Sequence, residues 1–196
     1  MKPGPLKSGK LRIIAGAWRG RNIEAPQGDD IRPTADRTRE ALFNRLAHSF
    51  TDHDFQLHGA RVLDVFAGTG ALGLEALSRG AAQATFLERD LSALSLIKRN
   101  VAKMGAEDRT VVLSVDATNL PRAARPHDLA LIDPPYAQEL AVPTLTSLGR
   151  QGWLRPSALV SVETGADESL AAVEYFTVLD RRAYGRAAVT FLIFGI

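Results

Sequence analysis

The sequence predicts an α/β protein built on a mainly parallel sheet, closed at one end by an antiparallel hairpin and preceded by a small N-terminal β-hairpin. Three observations predict it. From Arg61 to about residue 150, short apolar runs alternate with helical stretches, as in a parallel sheet covered by helices on both faces. After the apolar run Ala158 to Glu163 the alternation stops, and Tyr175–Asp180 and Ala188–Phe194 read as a strand pair with Arg181–Arg186 between them. Hydrophobic residues make up 45% of 196, enough for one α/β domain with a small appendage.

Taken in order, residues 1–10 are rich in Pro, Gly and Lys and are expected to be mobile. Leu11–Gly16 and Arg21–Ala25 read as two short strands, with Trp18 near the tip of the turn between them. A loop from Pro26 leads to a helix at Pro33, with Thr34 as its cap and Ala41, Leu42, Leu46 and Ala47 as its apolar face. Residues 51–59 form a polar linker. The strands are then expected at 61–66, 84–88, 110–115 and 128–133, and the helices at 71–79, 91–104 and about 138–150. This divides the chain into a basic arm and hairpin, residues 1–30, and a main domain, residues 31–196.

The stretch Arg61 to Gly73 runs from an apolar strand through a glycine-rich turn into a helix. Gly68 and Gly70 let the backbone turn tightly and approach a ligand. The spacing matches a dinucleotide fingerprint, which alone is a weak signal. Asp64 argues against a diphosphate, because a carboxylate there faces it unfavourably. A cationic ligand fits better, and S-adenosylmethionine carries a sulfonium and an ammonium group. A capping role for Asp64 is the weaker alternative. Phe66 and Thr69 belong to the same turn. Glu88 ends the next strand, where acidic side chains bind ribose hydroxyls. Asp116 ends the third, and with the Ala117 N–H suits an adenine amino group.

Asp133-Pro134-Pro135-Tyr136 follows the apolar run Leu129–Ile132. Neither proline has an N–H. The segment therefore offers acceptors, the Asp133 carboxylate and the Pro134 carbonyl, to a single NH₂ group, while Tyr136 offers a face for a base. Asp64, Glu88, Asp116 and Asp133 would together line the carboxyl edge of one parallel sheet, where such folds bind ligands.

Charge is unevenly placed. The chain has 24 Lys and Arg against 22 Asp and Glu, yet Lys2, Lys7, Lys10, Arg12, Arg19 and Arg21 precede the first acid. A basic arm on an acidic body suggests a polyanionic partner. Cysteine is absent, which rules out disulfides and thiolate metal sites. His48, His53 and His58 lack the spacing of a metal pair and read as solvated; no metal is expected. No stretch is long and apolar enough to span a membrane, and the N-terminus lacks a signal-peptide core, so a cytoplasmic location is expected. Trp153 reads as core or as a lid on the sheet edge, and Glu163 as structural or functional with equal weight.

Five segments in this order resemble one family: Arg12-Ile13-Ile14-Ala15-Gly16; Trp18-Arg19-Gly20-Arg21; Arg32 to Asn44; Asp64 to Ala76; and Asp133 to Tyr136. The chain resembles the bacterial small-subunit ribosomal RNA guanine-N2 methyltransferases over nearly its whole length. The resemblance implies a Rossmann-like class I methyltransferase core of seven strands, S-adenosylmethionine as donor, and 16S rRNA as substrate. The acceptor would be one guanine in the small ribosomal subunit or its assembly intermediate. Asp133, Pro134, Pro135 and Tyr136 would then hold the amine. Arg12, Trp18, Arg19, Arg21, Arg32 and Arg37 become candidates for RNA contact, with Arg182 and Tyr184 weaker ones, and a monomer is expected. Rival expectations are an amino methyltransferase on DNA adenine or a protein amide, a non-catalytic RNA-binding assembly factor, and a nucleotide-dependent oxidoreductase.

Overall fold

The computed structural model describes residues 11–26, 33–50, 53, 55–135, 139–168, 170, 173–185 and 187–195. Five strands run parallel: β1 (Arg61–Val65), β2 (Gln83–Glu88), β3 (Thr110–Ser114), β4 (His127–Ile132) and β5 (Leu154–Gly165). β6 (Phe176–Tyr184) and β7 (Ala187–Phe194) close the sheet antiparallel. The order across the sheet is β3-β2-β1-β4-β5-β7-β6, with the strand order reversing between β1 and β4. The helices are α1 (Pro33–His48), α2 (Ala71–Ser78), α3 (Leu91–Met104) and α4 (Ala141–Arg150).

Side-chain alternation along each strand divides the core into two layers. Val62, Phe86, Leu129, Leu131 and Leu159 pack with Leu74, Leu77, Ile97 and Val101 of α2 and α3. Leu63, Val65, Ala130, Ile132, Val160 and Val162 pack with Leu145 and Leu148 of α4 and with Trp153, which is core. The central strands β1 and β4 are buried almost throughout because both of their faces are covered. In α3, the Asp90 carboxylate accepts the Ala93 N–H at 2.8 Å and Gly105 closes the C-terminus in the left-handed region.

The N-terminal hairpin shares the first core layer: Leu11, Ile13, Trp18 and Ile23 are all buried in it. Its expected strands contract to one bridge, Arg12 with Asn22, flanked by ladder bonds such as Ile23 N–H to Leu11 C=O at 2.8 Å. The turn folds back onto the end of α2. Ala17 N–H donates to the Ser78 carbonyl at 2.8 Å, and Trp18 N–H to Ser78 Oγ at 3.0 Å. The fully buried Glu75 accepts the Ile14 and Ala15 N–H groups at 2.8 and 3.0 Å and the Arg79 guanidinium at 2.7 Å. A carboxylate so deep is tolerated because its oxygens are saturated with donors.

Several boundaries move. α1 begins at Pro33, which puts Thr34 inside the first turn instead of at the cap, and α4 begins at Ala141. β5 starts at Leu154, and β6 extends to Tyr184, so most of the expected connection 181–186 is strand. The charged run Arg181-Arg182 reads as loop locally, yet it pairs with Thr190 and Val189 of β7 on an edge strand, where charged side chains are accommodated. Residues 1–10, Arg32 and Tyr136 lie outside the described residues.

Candidate active site

The acidic residues picked out by their positions after apolar runs stand along one edge of the sheet. Glu88 ends β2, Asp64 is the penultimate residue of β1, Asp133 follows β4, and Asp116 lies two residues beyond β3. Adjacent to them, the glycine-rich turn coils through left-handed backbone at Phe66 (φ 61°), Gly68 (φ 54°) and Gly70 (φ 78°). Phe66 is not a glycine, and such strain at a strand end is typical of ligand sites.

The carboxylates organise this turn. Asp64 is 1% exposed and accepts the Gly73 N–H at 2.8 Å, so it caps the first turn of α2 from the strand below. The structure thus gives Asp64 the capping bond that the sequence ranked second. Burial pushes its pKa up to about 8; the Gly73 bond opposes this, and the Asp133 and Glu88 charges add to it. Glu88 accepts Gly68 N–H at 3.0 Å through one oxygen, and Arg89 and Asp90 N–H at 2.8 and 2.9 Å through the other. Asp116 is exposed and accepts both Thr118 Oγ1 at 2.7 Å and Thr118 N–H at 2.9 Å. The Thr118 hydroxyl first, then its N–H and Arg89, hold the Asp116 carboxyl below its usual range. Ala117 is buried beside it.

Asp133 leaves β4 with its N–H on the Val65 carbonyl at 3.3 Å, which ties it to the end of β1. Its side chain is open to solvent, while Pro134 is buried and Pro135 exposed. The protein crowded around its other sides, and then the Glu163 carboxylate on β5, push its pKa up to about 7. Glu163 is half-buried. It is the acid that sequence reasoning left undecided, although it ends an apolar run just as the others do.

Burial of Asp64 has a consequence for stability. Its folded pKa, about 8, lies above the 3.8 of an ordinary Asp, so its favourable contribution is complete below about pH 4 and is lost as pH rises toward 8. Asp64→Asn keeps an acceptor for Gly73 and removes the titration. The variant is expected to gain on the parent by a few kcal/mol, in order of magnitude, between pH 5 and 9. Urea unfolding of both proteins across that range, without ligand, measures the difference; parallel pH profiles would contradict it.

The family described as Conserved hypothetical protein 95 matches residues 11–193. The Escherichia coli K12 protein named ribosomal RNA small subunit methyltransferase D is 42% identical over 172 residues, covering 88% of this chain and 83% of that protein. Its namesake in Haemophilus influenzae is 38% identical, covering 92% of each. The solved structure of yhhF from Escherichia coli superposes with a TM-score of 0.82 at 37% identity, covering 95% of this chain and 99% of that one. The chain belongs to the ribosomal RNA small subunit methyltransferase D family. Its sheet is the seven-stranded, Rossmann-like methyltransferase fold with a terminal antiparallel hairpin.

In this member of the methyltransferase D family, three of the expected RNA-contacting arginines converge. Arg12, Arg19 and Arg37 line one polar recess of about 430 Å³ between the hairpin and α1, with Glu40 as its acidic member. Arg21 is exposed on the same hairpin. Trp18 does not join them. It is 8% exposed, with the Arg109 guanidinium 5.2 Å from its ring centre, and so anchors the hairpin instead of facing solvent. Arg182 sits on β6, pairs with Asp180 at 3.1 Å and does not line the hairpin recess. Tyr184 ends β6.

A second cavity, about 420 Å³, opens at the opposite end of the sheet, among Arg61, Thr85, Val111, His127 and Trp153. It exists because the chain from β3 to β4 contains no helix and leaves that sheet face bare. His127 is buried there, bonded to Thr85 Oγ1 at 3.0 Å and to the Trp153 carbonyl at 3.1 Å. Burial lowers its pKa to about 4, so it is neutral. The cavity holds none of the four strand-end acids.

Proposed function

We propose that this chain transfers a methyl group from S-adenosylmethionine to the N2 amino nitrogen of a guanine in small-subunit ribosomal RNA. The observation that carries the reading is the placement of Asp133 just past β4, followed by Pro134 and close enough to Asp64 for its charge to act there, within a family whose relatives bear ribosomal RNA methyltransferase names.

The donor set fits that cofactor. Glu88 and Asp133 are both close enough for their charges to act on Asp64, and both Asp64 and Asp133 hold their protons more tightly than ordinary carboxyls. A ligand carrying two positive charges relieves that repulsion and favours the ionised forms. In the proposed assignment Asp64 and the Phe66–Gly70 turn hold the methionine end, Glu88 the ribose, and Asp116 with Ala117 the adenine. The cofactor supplies an electrophilic methyl group on sulfur.

A guanine amino nitrogen is a poor nucleophile because its lone pair is delocalised into the ring. With the target base out of its stack, Asp133 and the Pro134 carbonyl accept the two amino hydrogens. That orients the nitrogen lone pair toward the methyl group. The Asp133 carboxylate also stabilises the positive charge developing on nitrogen, which grows toward the transition state. Asp133 takes up the proton that the methylated nitrogen releases. Tyr136, next in the sequence, is assigned to stacking on the base. Arg12, Arg19 and Arg37 hold phosphates, and bidentate guanidinium contacts suit that role.

The test is methyl transfer from radiolabelled S-adenosylmethionine to naked 16S rRNA and to small subunits from a strain lacking this protein, followed by nucleoside analysis. Label is expected in N2-methylguanosine. Label in N6-methyladenosine, or none with cofactor bound, overturns the assignment; the second result favours a binding role in subunit assembly.

A further inference from the structure

We propose that Glu163 is the specificity-determining residue of this site, and that it accepts the N1–H of the target guanine while Asp133 and the Pro134 carbonyl accept the amino hydrogens. The inference deepens the reading above and rests on it: the acceptor must be a guanine amino group.

The placement follows from sheet register. Ile132 of β4 pairs with Val162 of β5, so the next residues along stand side by side: Asp133 just past the end of β4, and Glu163 within β5, two residues before its end. Alternation puts them on the same face. Ile132 and Val162 belong to the α4 layer, whereas Leu131 and Leu159 belong to the α2–α3 layer. Asp133 and Glu163 are both in phase with the latter, as is Asp64 on β1. The electrostatic influence of Glu163 on Asp133 agrees with that proximity.

Glu163 is a half-buried carboxylate. Its neighbours along β5, Val162 and Thr164, are 0% and 3% exposed, and it stands beside a second carboxylate. Two adjacent acids at a sheet edge repel each other, and a ligand edge made of donors relieves that repulsion. The N1 and N2 positions of guanine, next to its O6 acceptor, meet this description. They present N1–H and both amino hydrogens side by side, three donors for the three acceptors Glu163, Asp133 and Pro134 C=O. A base with an unprotonated N1 places a lone pair against Glu163 instead. Discrimination then arises from an unpaired, repelled group, which is a stronger filter than shape alone.

The experiment uses a 16S rRNA fragment assembled with small-subunit proteins, carrying either guanosine or 2-aminopurine at the methylated position. 2-Aminopurine keeps the amino group but has an acceptor at N1. The full-length wild-type protein is expected to prefer guanosine by at least about 100-fold in kcat/KM. Glu163→Gln, whose amide can donate to N1, should lose about 10- to 100-fold on guanosine and bring the two acceptors within about tenfold of each other. S-adenosylmethionine affinity should stay at its wild-type value and the melting temperature should not fall.

An unchanged guanosine preference in Glu163→Gln, or an equal loss on both acceptors, overturns the proposal and leaves Glu163 a structural residue. If Glu163→Gln does not fold, Glu163→Asp decides: a retracted carboxylate must lower guanosine turnover while keeping the preference, and wild-type turnover there overturns the proposal. Absence of N2-methylation by the wild-type protein on the guanosine fragment is a separate result, and it removes the parent reading before any variant is compared.

Discussion

Asp133→Ala is expected to lower the methyl-transfer rate by about 10²- to 10³-fold, the usual consequence of removing one group that stabilises developing charge. The loss should fall on kcat in single-turnover assays and spare cofactor affinity, because the proposed assignment gives the amine to Asp133 and the cofactor to Asp64 and Glu88. Stability should not fall with it. Asp133 is crowded by protein, lies beside Glu163 and adds to the charge felt by Asp64, so its removal relieves repulsion. The wild-type rate should also climb with pH through about 7 as the Asp133 carboxylate forms. Normal turnover by a folded Asp133→Ala protein would refute the amine-holding role outright.

The second large effect is structural. Gly16 has φ +82°, and a Cβ there would lie 1.9 Å from the Ser78 carbonyl oxygen and 2.8 Å from the Arg79 nitrogen. Neither backbone atom can move aside without disrupting the end of α2. Gly16→Ala therefore forces the hairpin off the helix and breaks the Ala17 and Trp18 bonds to Ser78. Strain of this kind with lost buried bonds amounts to about 3–4 kcal/mol, or a melting temperature lower by about 10 °C in a chain of this size. RNA affinity should fall as well, because Arg12 and Arg19 ride on the hairpin while Arg37 stays on α1. Calorimetry and a filter-binding titration read both effects; a melting temperature within about 2 °C of wild type would contradict the docking role.

The sheet-edge acids were legible because their signal is short-range. An apolar run that ends in Asp or Glu is visible within six residues, and Glu88 and Asp133 stand where that signal puts them, with Asp64 and Asp116 one or two residues from a strand end. What these groups bond to was not legible. Asp64 reaches Gly73 and Glu88 reaches Gly68 through a turn whose coil depends on the finished β1–β2 register. Trp18 misled for a related reason. Beside basic residues in a short turn it reads as exposed, and only the docking of that turn onto Ser78, sixty residues away, buries it. The charged strand β6 was half hidden because its Arg and Asp residues belong to a sheet edge, where polarity and strand structure coexist. Glu163 carried the same local signature as the other acids, and what distinguishes it is its neighbour across the β4–β5 register, which no single stretch of sequence displays.

Asn100 has a wider consequence. It is fully buried in α3, and its amide group makes three bonds: the Glu24 N–H to its oxygen at 2.7 Å, and its NH₂ to the carbonyls of Glu24 at 3.0 Å and Thr69 at 2.9 Å. One side chain thus splices the end of the N-terminal hairpin to the glycine-rich turn. Trimming the chain back past residue 24 would leave that amide half unsatisfied in the interior and strip Leu11, Ile13, Trp18 and Ile23 from the core at the same time. The arm is therefore no interchangeable cassette that could be grafted from one relative to another to change the target RNA. It is a retaining wall of the glycine-rich turn, and any redesign of its exposed surface must leave its inner face untouched.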